Sequence, residues 1–334
     1  MTKLNIPVSV LDLGPVRQGS SIADAIEDMK VLAKKVEELG YNRFWIAEHH
    51  NTPTLVSSAT TTLMQHVLSH TDSIRVGSGG VMLPNHSPLV VAEQVGTLAQ
   101  IYPDRLDLGL GRAPGTDMAT AFALRRSHDT DSVFSFPEDI KTLQQYFGPL
   151  GEQGQVKASV AIGTEVPIYV LGSSHNSAYL AAELGLPYYF ASHFAPRFMG
   201  EAIEIYRANF KPSQYLAEPY MGVCLNVIAD ETDEAAQKEM TTLQQLFLNI
   251  VRGTSNPLMP PVESMDAMWN MHEEMNVKET TSMTFVGSKE TVKKQFEQFQ
   301  ERYNVDEIMA ISYIYDKEKQ YRSYEIFKEI VSEN

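Results

Sequence analysis

Short apolar runs alternate along this chain with segments whose apolar residues recur at helical spacing. Residues 6–11 form the first run, and from residue 22 to residue 39 an apolar position then returns every three or four residues. Ser21 before this segment and Gly40 after it are typical of helix caps. The pattern predicts a buried strand followed by an amphipathic helix.

The same alternation continues to the end of the chain. Parallel strands need helical crossovers, so repeated strand and helix pairs favour a parallel sheet. The predicted strands lie at residues 6–11, 44–47, 74–79, 105–111, 166–172, 187–192, 221–229 and 305–313. Eight strands with at least eight helices favour an α/β fold of the (β/α)8 TIM-barrel type over a doubly wound sheet. We expect a single barrel domain over residues 1–334.

Two stretches interrupt the alternation. Residues 112–165, after strand 4, carry turn-forming sequences such as PGTD and GPLGEQGQ and one predicted helix near residues 137–147. Residues 252–284 are irregular and follow helix 7, for which Asp230 is the expected N-cap. We expect both stretches to be insertions in the barrel.

Charge and cysteine content narrow the class of protein. The net charge of the 334 residues is −15, which disfavours nucleic acids and anionic membranes as partners. Cys224 is the only cysteine, which excludes an internal disulfide and a thiolate metal site. The sequence shows neither a signal-peptide pattern nor an apolar run of membrane-spanning length. We expect a cytoplasmic protein.

Common nucleotide and hydrolase motifs do not match. The glycines of GLGRAPG, at positions 109, 111 and 115, miss the GxGxxG spacing by one position. The sequence has no GxxxxGK[ST] phosphate loop and no GxSxG nucleophile elbow. A Rossmann dinucleotide site is therefore disfavoured.

Distinctive polar residues lie at the predicted C-terminal ends of the strands, where barrel enzymes carry their active sites. Glu48, His49 and His50 end the second strand, and Arg112 ends the fourth. The segment LGSSHNS ends the fifth strand, and ASHF ends the sixth. We expect these groups to converge on one mouth of the barrel.

The same segments carry a family resemblance. The segments AEHHN, GGVMLPNHSPLVVAEQVGTLAQIYPDRLDLGLGRAPGTD and LGSSHNSAYLAAELGLPYYFASHF closely resemble the bacterial luciferase-like flavin monooxygenase family, in particular its single-chain members of unknown substrate. The resemblance covers nearly the whole chain in order. It implies a (β/α)8 barrel that binds reduced FMN (FMNH2) at the C-terminal ends of the strands, where the flavin reacts with O2.

The resemblance also assigns residues to the flavin phosphate. Arg112 corresponds to the phosphate anchor, and its planar, permanently charged guanidinium suits a phosphate dianion. Ser173, Ser174 and Ser177 lie at the start of the predicted fifth helix, whose unpaired amides would bind the same phosphate. Simple N-capping is the alternative for these serines.

Gly79 and Gly80 correspond to a place where the family often carries a non-prolyl cis peptide bond against the flavin ring. The alternative is that two glycines allow close backbone approach without a cis bond. Either arrangement puts backbone rather than a side chain at the ring. Gly111 stands where some light-emitting members carry a reactive cysteine, so bioluminescence is unsupported.

Three residues are candidates for catalysis. The resemblance implies that His49 is an acid/base group that contacts the flavin adduct or the substrate, and imidazole exchanges a proton near neutral pH. Adjacent residues on an extended strand point to opposite sides, so His50 is assigned to the support of His49. Glu48 would be a costly buried charge without a partner, so we expect it to orient a histidine or Arg112. His86 and His193 are interpreted as loop or core histidines held by hydrogen bonds.

Residues 252–284 hold six of the 15 methionines. In the family this region is a mobile loop over the active site, and flexible thioethers suit an adaptable apolar lid. A methionine-rich helix that merely packs on the barrel is the alternative.

These observations predict an FMN-dependent monooxygenase that uses O2 to oxygenate a small organic substrate of the aldehyde, ketone or sulfonate class. A separate flavin reductase would supply FMNH2, and a homodimer is expected by analogy. The alternatives are an F420-dependent oxidoreductase of the same fold, a non-catalytic flavin-binding protein and a metal-dependent hydrolase built on Glu48, His49, His50 and further histidines. The hydrolase is disfavoured, and no metal site is expected, because adjacent histidines are awkward joint ligands.

Overall fold

The computed structural model describes residues 3–113, 115–125 and 134–333. Its strands are β1 Val8–Asp12, β2 Arg43–Ile46, β3 Arg75–Met82, β4 Leu106–Gly111, β5 Ile168–Gly172, β6 Tyr188–Ala191, β7 Met221–Ala229, β8 Thr284–Gly287 and β9 Glu307–Ile311. Its helices are α1 Ile22–Glu38, α2 Thr60–Leu68, α3 Pro88–Ile101, α4 Met118–Arg125, α5 Phe136–Phe147, α6 His175–Leu184, α7 Met199–Asn209, α8 Asp233–Arg252, α9 Met271–Thr280, α10 Lys289–Tyr303 and α11 Lys317–Ser332.

Eight parallel strands close into a barrel. From β1 to β7 each strand pairs with the next, and β9 closes the ring because it pairs with both β7 and β1. The strand β8 pairs with β7 from Asn226 to Ala229, beyond most of the β9 pairing, so it lies outside the ring. The (β/α)8 barrel predicted from the sequence is therefore confirmed.

The side chains of the strands alternate between two apolar clusters. One cluster fills the space between the barrel and its helices and contains Phe44 and Ile46 of β2. The other fills the barrel interior and contains Trp45, whose ring contacts those of Tyr169 and Tyr189 at centroid distances of 5.3 and 5.8 Å. Because successive side chains of a strand alternate between the interior and the helices, this alternation decides which residues at a strand end can face the mouth of the barrel.

The two interruptions contain more regular structure than the sequence predicts. The stretch 112–165 holds the helix α4 in addition to α5, and the stretch 252–284 holds α9 and the first residue of β8. These elements are short and lack a clear apolar period, which is why the pattern does not reveal them. The expected cap Asp230 is also wrong. Thr232 caps α8 by accepting a hydrogen bond from the Ala235 amide, while Asp230 pairs with Lys319.

The cap predicted at the start of α1 and the cap predicted at the end of α6 are both present. Ser21 and Asp24 form a capping box at α1, and Gly185 ends α6 in the left-handed conformation. None of the helices in the described part of the chain is both long and apolar enough to cross a membrane.

Glycine is required where β3 and β4 meet inside the barrel. A Cβ atom on Gly109 would lie 2.2 Å from the Ser78 carbonyl oxygen and 2.8 Å from Leu171 Cδ1. We expect Gly109→Ala to lower the free energy of unfolding by about 1–3 kcal/mol, the usual cost of overpacking. Denaturant unfolding followed by circular dichroism measures this change. Gly151→Ala is the matched control, because no atom lies within 4 Å of its added Cβ; equal stability of the two variants would contradict the prediction.

Candidate functional site

The backbone that leaves β2 keeps the alternation of the strand. Trp45 faces the barrel interior and Ile46 faces the helices. His49 follows Trp45 at an even spacing and is directed across the mouth, where it interacts electrostatically with His193. Glu48 and His50 share the opposite side and contact each other. The three neighbouring polar residues thus enter two different environments.

Glu48 is a buried carboxylate with several donors. It is 1% exposed, and its Oε1 accepts hydrogen bonds from the Nε2 atoms of His50 at 2.9 Å and His86 at 2.8 Å. Its Oε2 accepts from the Met82 amide at 3.0 Å. Burial alone would raise the pKa of Glu48, but these hydrogen bonds, that of His86 foremost, hold the pKa below its usual range. Glu48 therefore stays ionised and ties the end of β2 to the loop after β3.

The partners of Glu48 match part of the sequence interpretation. The carboxylate orients histidines, as expected, and the histidines are His50 and His86 rather than His49. His86 is a loop histidine held by a hydrogen bond, also as expected. Among the described residues, no acidic side chain pairs with Arg112. No observation tests whether Glu48 and His50 act in catalysis, so those assignments stay predictions.

His49 keeps an imidazole nitrogen unused. Its backbone amide donates to the Ser57 carbonyl at 3.0 Å, which fixes the chain at the mouth. Its buried Nδ1 has no hydrogen-bond partner among the described residues. Burial lowers the pKa of His49, and the negative charge of Glu48 opposes this shift only in part. A neutral imidazole with a free ring nitrogen can accept or donate a proton to a bound group.

The wall of the mouth beside His49 is built from glycine. Gly77 and Gly79 on β3, and Gly109 and Gly111 on β4, face the barrel interior. A Cβ atom added to Gly77 or Gly79 would lie less than 3 Å from Trp45. The peptide bond between Gly79 and Gly80 is cis, as in the first of the two arrangements considered from the sequence. The four glycines thus let the side chains of Leu11, Trp45, Met82 and Leu171 lie close to the backbone of β3 and β4.

Arg112 and the start of α6 lie at the ends of the next two strands. Arg112 is exposed and directly follows β4. Ser174 is the N-cap of α6, where it forms a capping box with Ser177, and Ser173 is half-buried between β5 and this cap. An exposed guanidinium beside a helix N-terminus fits a phosphate dianion.

Ser177 has a structural task that the sequence does not show. Its hydroxyl donates to the Ser174 carbonyl at 2.7 Å and lies 2.9 Å from the Tyr188 hydroxyl of β6. A Cβ on Gly172 would lie 2.1 Å from Ser177 Oγ, so glycine there makes room for the hydroxyl. This geometry agrees with the capping alternative for Ser177, and its contact with phosphate stays a prediction.

Sequence reasoning did not assign Arg197, Phe198 and Glu201, which lie beside α6. The 3₁₀ turn Pro196–Phe198 follows β6, and the Phe198 ring stacks edge-on against His175 at 4.9 Å. The Arg197 guanidinium lies over the same ring at 5.3 Å, and His175 lies 2.9 Å from the Glu201 carboxylate. The helix α9 also contacts this turn. Only the position of ASHF after a strand could have indicated these residues.

The described residues best placed to hold a metal ion are Glu48, His50 and His86. One oxygen and two ring nitrogens of this group lie within 4.8 Å of one another. The hydrolase alternative used Glu48, His49, His50 and further histidines; in the structure His86 joins Glu48 and His50, and His49 lies outside the group. The same donor atoms are already hydrogen-bonded to each other, so the arrangement is satisfied without a metal.

The stretch 252–284 continues the apolar interior of the barrel. Leu258, Met265 and Val277 join the interior cluster together with Met240, Leu243 and Phe247 of α8. Met271 and Met275, on α9, are instead 78% and 65% exposed. The methionines are thus divided between core packing and an exposed apolar face next to Phe198.

Comparison with known proteins gives the family. Residues 6–304 match the model of the luciferase-like monooxygenases. The chain is 45% identical over 293 residues to the luciferase-like monooxygenase of Escherichia coli K12, and the match covers 88% of this chain and 87% of that protein. The crystal structure of apo-MsnO8 superposes with a TM-score of 0.90 at 31% identity and 98% coverage of both chains.

Two solved structures share the fold at lower identity. The oxygenating constituent of 3,6-diketocamphane monooxygenase from Pseudomonas putida, in complex with FMN, has a TM-score of 0.73 at 17% identity, covering 98% of this chain and 99% of that chain. An F420-dependent secondary alcohol dehydrogenase has a TM-score of 0.69 at 16% identity, covering 98% of both chains. The family match over residues 6–304 and the identity to the E. coli protein show that this chain belongs to the luciferase-like monooxygenase family, whose members are oxidoreductases.

Proposed function

We propose that this protein is a flavin-dependent monooxygenase that uses FMNH2 and O2 to oxygenate a small organic substrate of the aldehyde, ketone or sulfonate class. The buried Nδ1 of His49, which has no partner among the described residues at the mouth of the barrel, is the observation that carries this proposal. Family membership and the FMN complex of the diketocamphane enzyme support it. A separate flavin reductase would supply FMNH2.

The residues present fit a flavin mononucleotide. Arg112 and the N-terminus of α6, with Ser173 and Ser174, would hold the phosphate by charge and by unpaired backbone amides. The wall at Gly79 and Gly80 would let the ring lie against backbone. When bound, reduced flavin supplies the electrons that activate O2. His49 would hold or move a proton at its free ring nitrogen, and the surrounding apolar cover would exclude water.

The stretch 252–284 is proposed as the lid of this site. Met265 and Leu258 anchor it to the apolar cluster that continues from the barrel interior, while Met271 and Met275 leave an exposed apolar face beside Phe198. Flexible thioether side chains can adapt to substrates of different shape. A homodimer and a cytoplasmic location remain proposals by analogy with the family.

The first experiment is an anaerobic titration of the protein with photoreduced FMN, with F420 in a parallel titration. Binding of FMNH2 at micromolar concentration, followed by O2-dependent oxygenation of a substrate from an aldehyde, ketone and sulfonate panel, would support the proposal. Preference for F420 without oxygenation would instead favour an F420-dependent oxidoreductase, the alternative suggested by the structural similarity to the F420-dependent alcohol dehydrogenase. Tight zinc binding at Glu48, His50 and His86, with activity lost on chelation, would favour a metal enzyme.

Arg112→Ala tests the phosphate anchor. We expect the variant to bind FMNH2 about 10- to 100-fold more weakly, because a hydrogen bond to a charged group contributes about 1.5–3 kcal/mol. Anaerobic calorimetry measures the dissociation constant. Arg302→Ala is the matched control, since Arg302 is exposed at the C-terminal end of α10, at the opposite end of the barrel. Wild-type affinity in Arg112→Ala would remove Arg112 from the cofactor site.

A further inference from the structure

His193 lies at the mouth of the barrel, in the turn that follows β6. On β6, Tyr189 belongs to the barrel interior while Tyr188 and Phe190 belong to the helix side. His193 lies two residues beyond the end of the strand, in the turn 192–194, where the Ser192 amide donates to the Phe190 carbonyl at 3.0 Å. It is 7% exposed. The sequence analysis interprets His193 as a loop or core histidine held by hydrogen bonds, and this interpretation requires a hydrogen-bond partner for the ring.

The ring of His193 lacks such a partner. Its Nδ1 is buried and makes no hydrogen bond to any described residue. The residue is held by other contacts: its backbone carbonyl accepts from Asn226 Nδ2 at 2.8 Å, and its ring packs edge-on against Phe194 at 4.8 Å. Buried polar atoms in native proteins are nearly always paired, so an unpaired one held rigidly in position points to a missing ligand.

The position of His193 relative to His49 indicates which ligand. The strands β2 and β6 lie four strands apart in a ring of eight and so face each other across the barrel. The imidazoles nevertheless lie near enough to interact electrostatically, and burial, with a smaller contribution from His49, lowers the pKa of His193 to about 3. Both rings are therefore neutral at pH 7, each with an unused Nδ1. The glycine wall and the candidate phosphate site lie on β3, β4 and β5, between the two histidines.

We propose that His193 is a cofactor-contacting residue whose Nδ1 forms a hydrogen bond with the polar pyrimidine edge of the bound flavin or deazaflavin ring, opposite His49. That edge carries carbonyl and N–H groups, so it can pair with a neutral imidazole in either tautomer. The benzenoid edge offers no such group. The inference rests on the proposed function, because it requires a tricyclic cofactor in this mouth.

Histidine side-chain NMR and a leucine variant test the contact. Protein labelled at histidine Cε1 is titrated with FMN and separately with F420, and His193→Leu identifies the His193 resonance. We expect the resonances of His193 and His49 to shift on binding, while that of His70, exposed at the end of α2, stays in place. His193→Leu should fold with at least wild-type stability, because it removes an unpaired buried nitrogen, yet bind the cofactor about tenfold more weakly. His70→Leu should bind as the wild type does.

The outcomes separate this inference from the proposed function. If the wild-type protein binds FMN or F420 while the His193 resonance stays in place and His193→Leu binds equally well, the contact is overturned and the proposed function stands. If the wild-type protein binds neither cofactor, the proposed function fails, and the contact fails with it. A His193→Leu variant that loses stability in parallel with affinity would assign His193 to the core instead.

Discussion

His49→Ala is expected to lower kcat by about 10²- to 10⁴-fold, the usual contribution of a positioned acid or base. The imidazole lies at the end of β2, its Nδ1 has no partner among the described residues, and burial keeps it neutral at pH 7. Alanine removes the proton donor or acceptor without touching the phosphate site. Oxygenase turnover with saturating FMNH2 and the best substrate of the panel measures the effect.

The pH dependence gives a second readout for His49. Since burial lowers the pKa of His49 from its ordinary value of 6.5, the neutral imidazole predominates above that value and is lost only at lower pH. We expect the acidic limb of the kcat profile to lie below pH 6.5 and to disappear in His49→Ala. His70→Ala, which changes an exposed histidine far from the mouth, should keep both rate and profile. A His49→Ala variant with the wild-type rate would show that the acid/base assignment is wrong.

Glu48→Ala is expected to lower the free energy of unfolding by about 3–5 kcal/mol, the usual cost of breaking a buried charged pair from one side. The change leaves the Nε2 donors of His50 and His86 and the amide of Met82 without their acceptor. Denaturant unfolding at pH 7 measures the difference. The control Glu138→Ala removes an exposed carboxylate of α5 that pairs with Lys141, and its stability should match the wild type.

The contribution of Glu48 to stability also has a defined pH window. Its pKa in the folded protein lies below the ordinary 4.5, so the stabilisation is fully present above pH 4.5 and is lost as the pH falls through the folded value. The stability difference between the wild type and Glu48→Gln should therefore narrow below pH 4.5. A difference that is independent of pH from 3 to 7 would mean that the ionised carboxylate is not what stabilises the fold.

The sequence predicted the local features of this protein well. Continuous apolar runs and a period near 3.6 between them identified all eight strands of the barrel ring, because a strand of a closed parallel barrel is buried on both faces and each surrounding helix on one. Caps such as Ser21 and Ser174 are equally local, since a side chain there bonds to an amide three residues away. The divergence of His49 from Glu48 and His50 follows from strand geometry alone.

Only the tertiary structure decided which of these residues meet. The closure of the barrel by β9 brings His49 and His193 together from opposite strands, although 144 positions separate them in the chain and neither pattern refers to the other. The loop after β3 supplies His86 to Glu48, and Tyr188 of β6 takes the hydroxyl of Ser177. The sequence by itself determined on which side of its strand each group lies. The contacts across the mouth depend on how the strands are arranged around the ring, and no local period of the sequence records that arrangement.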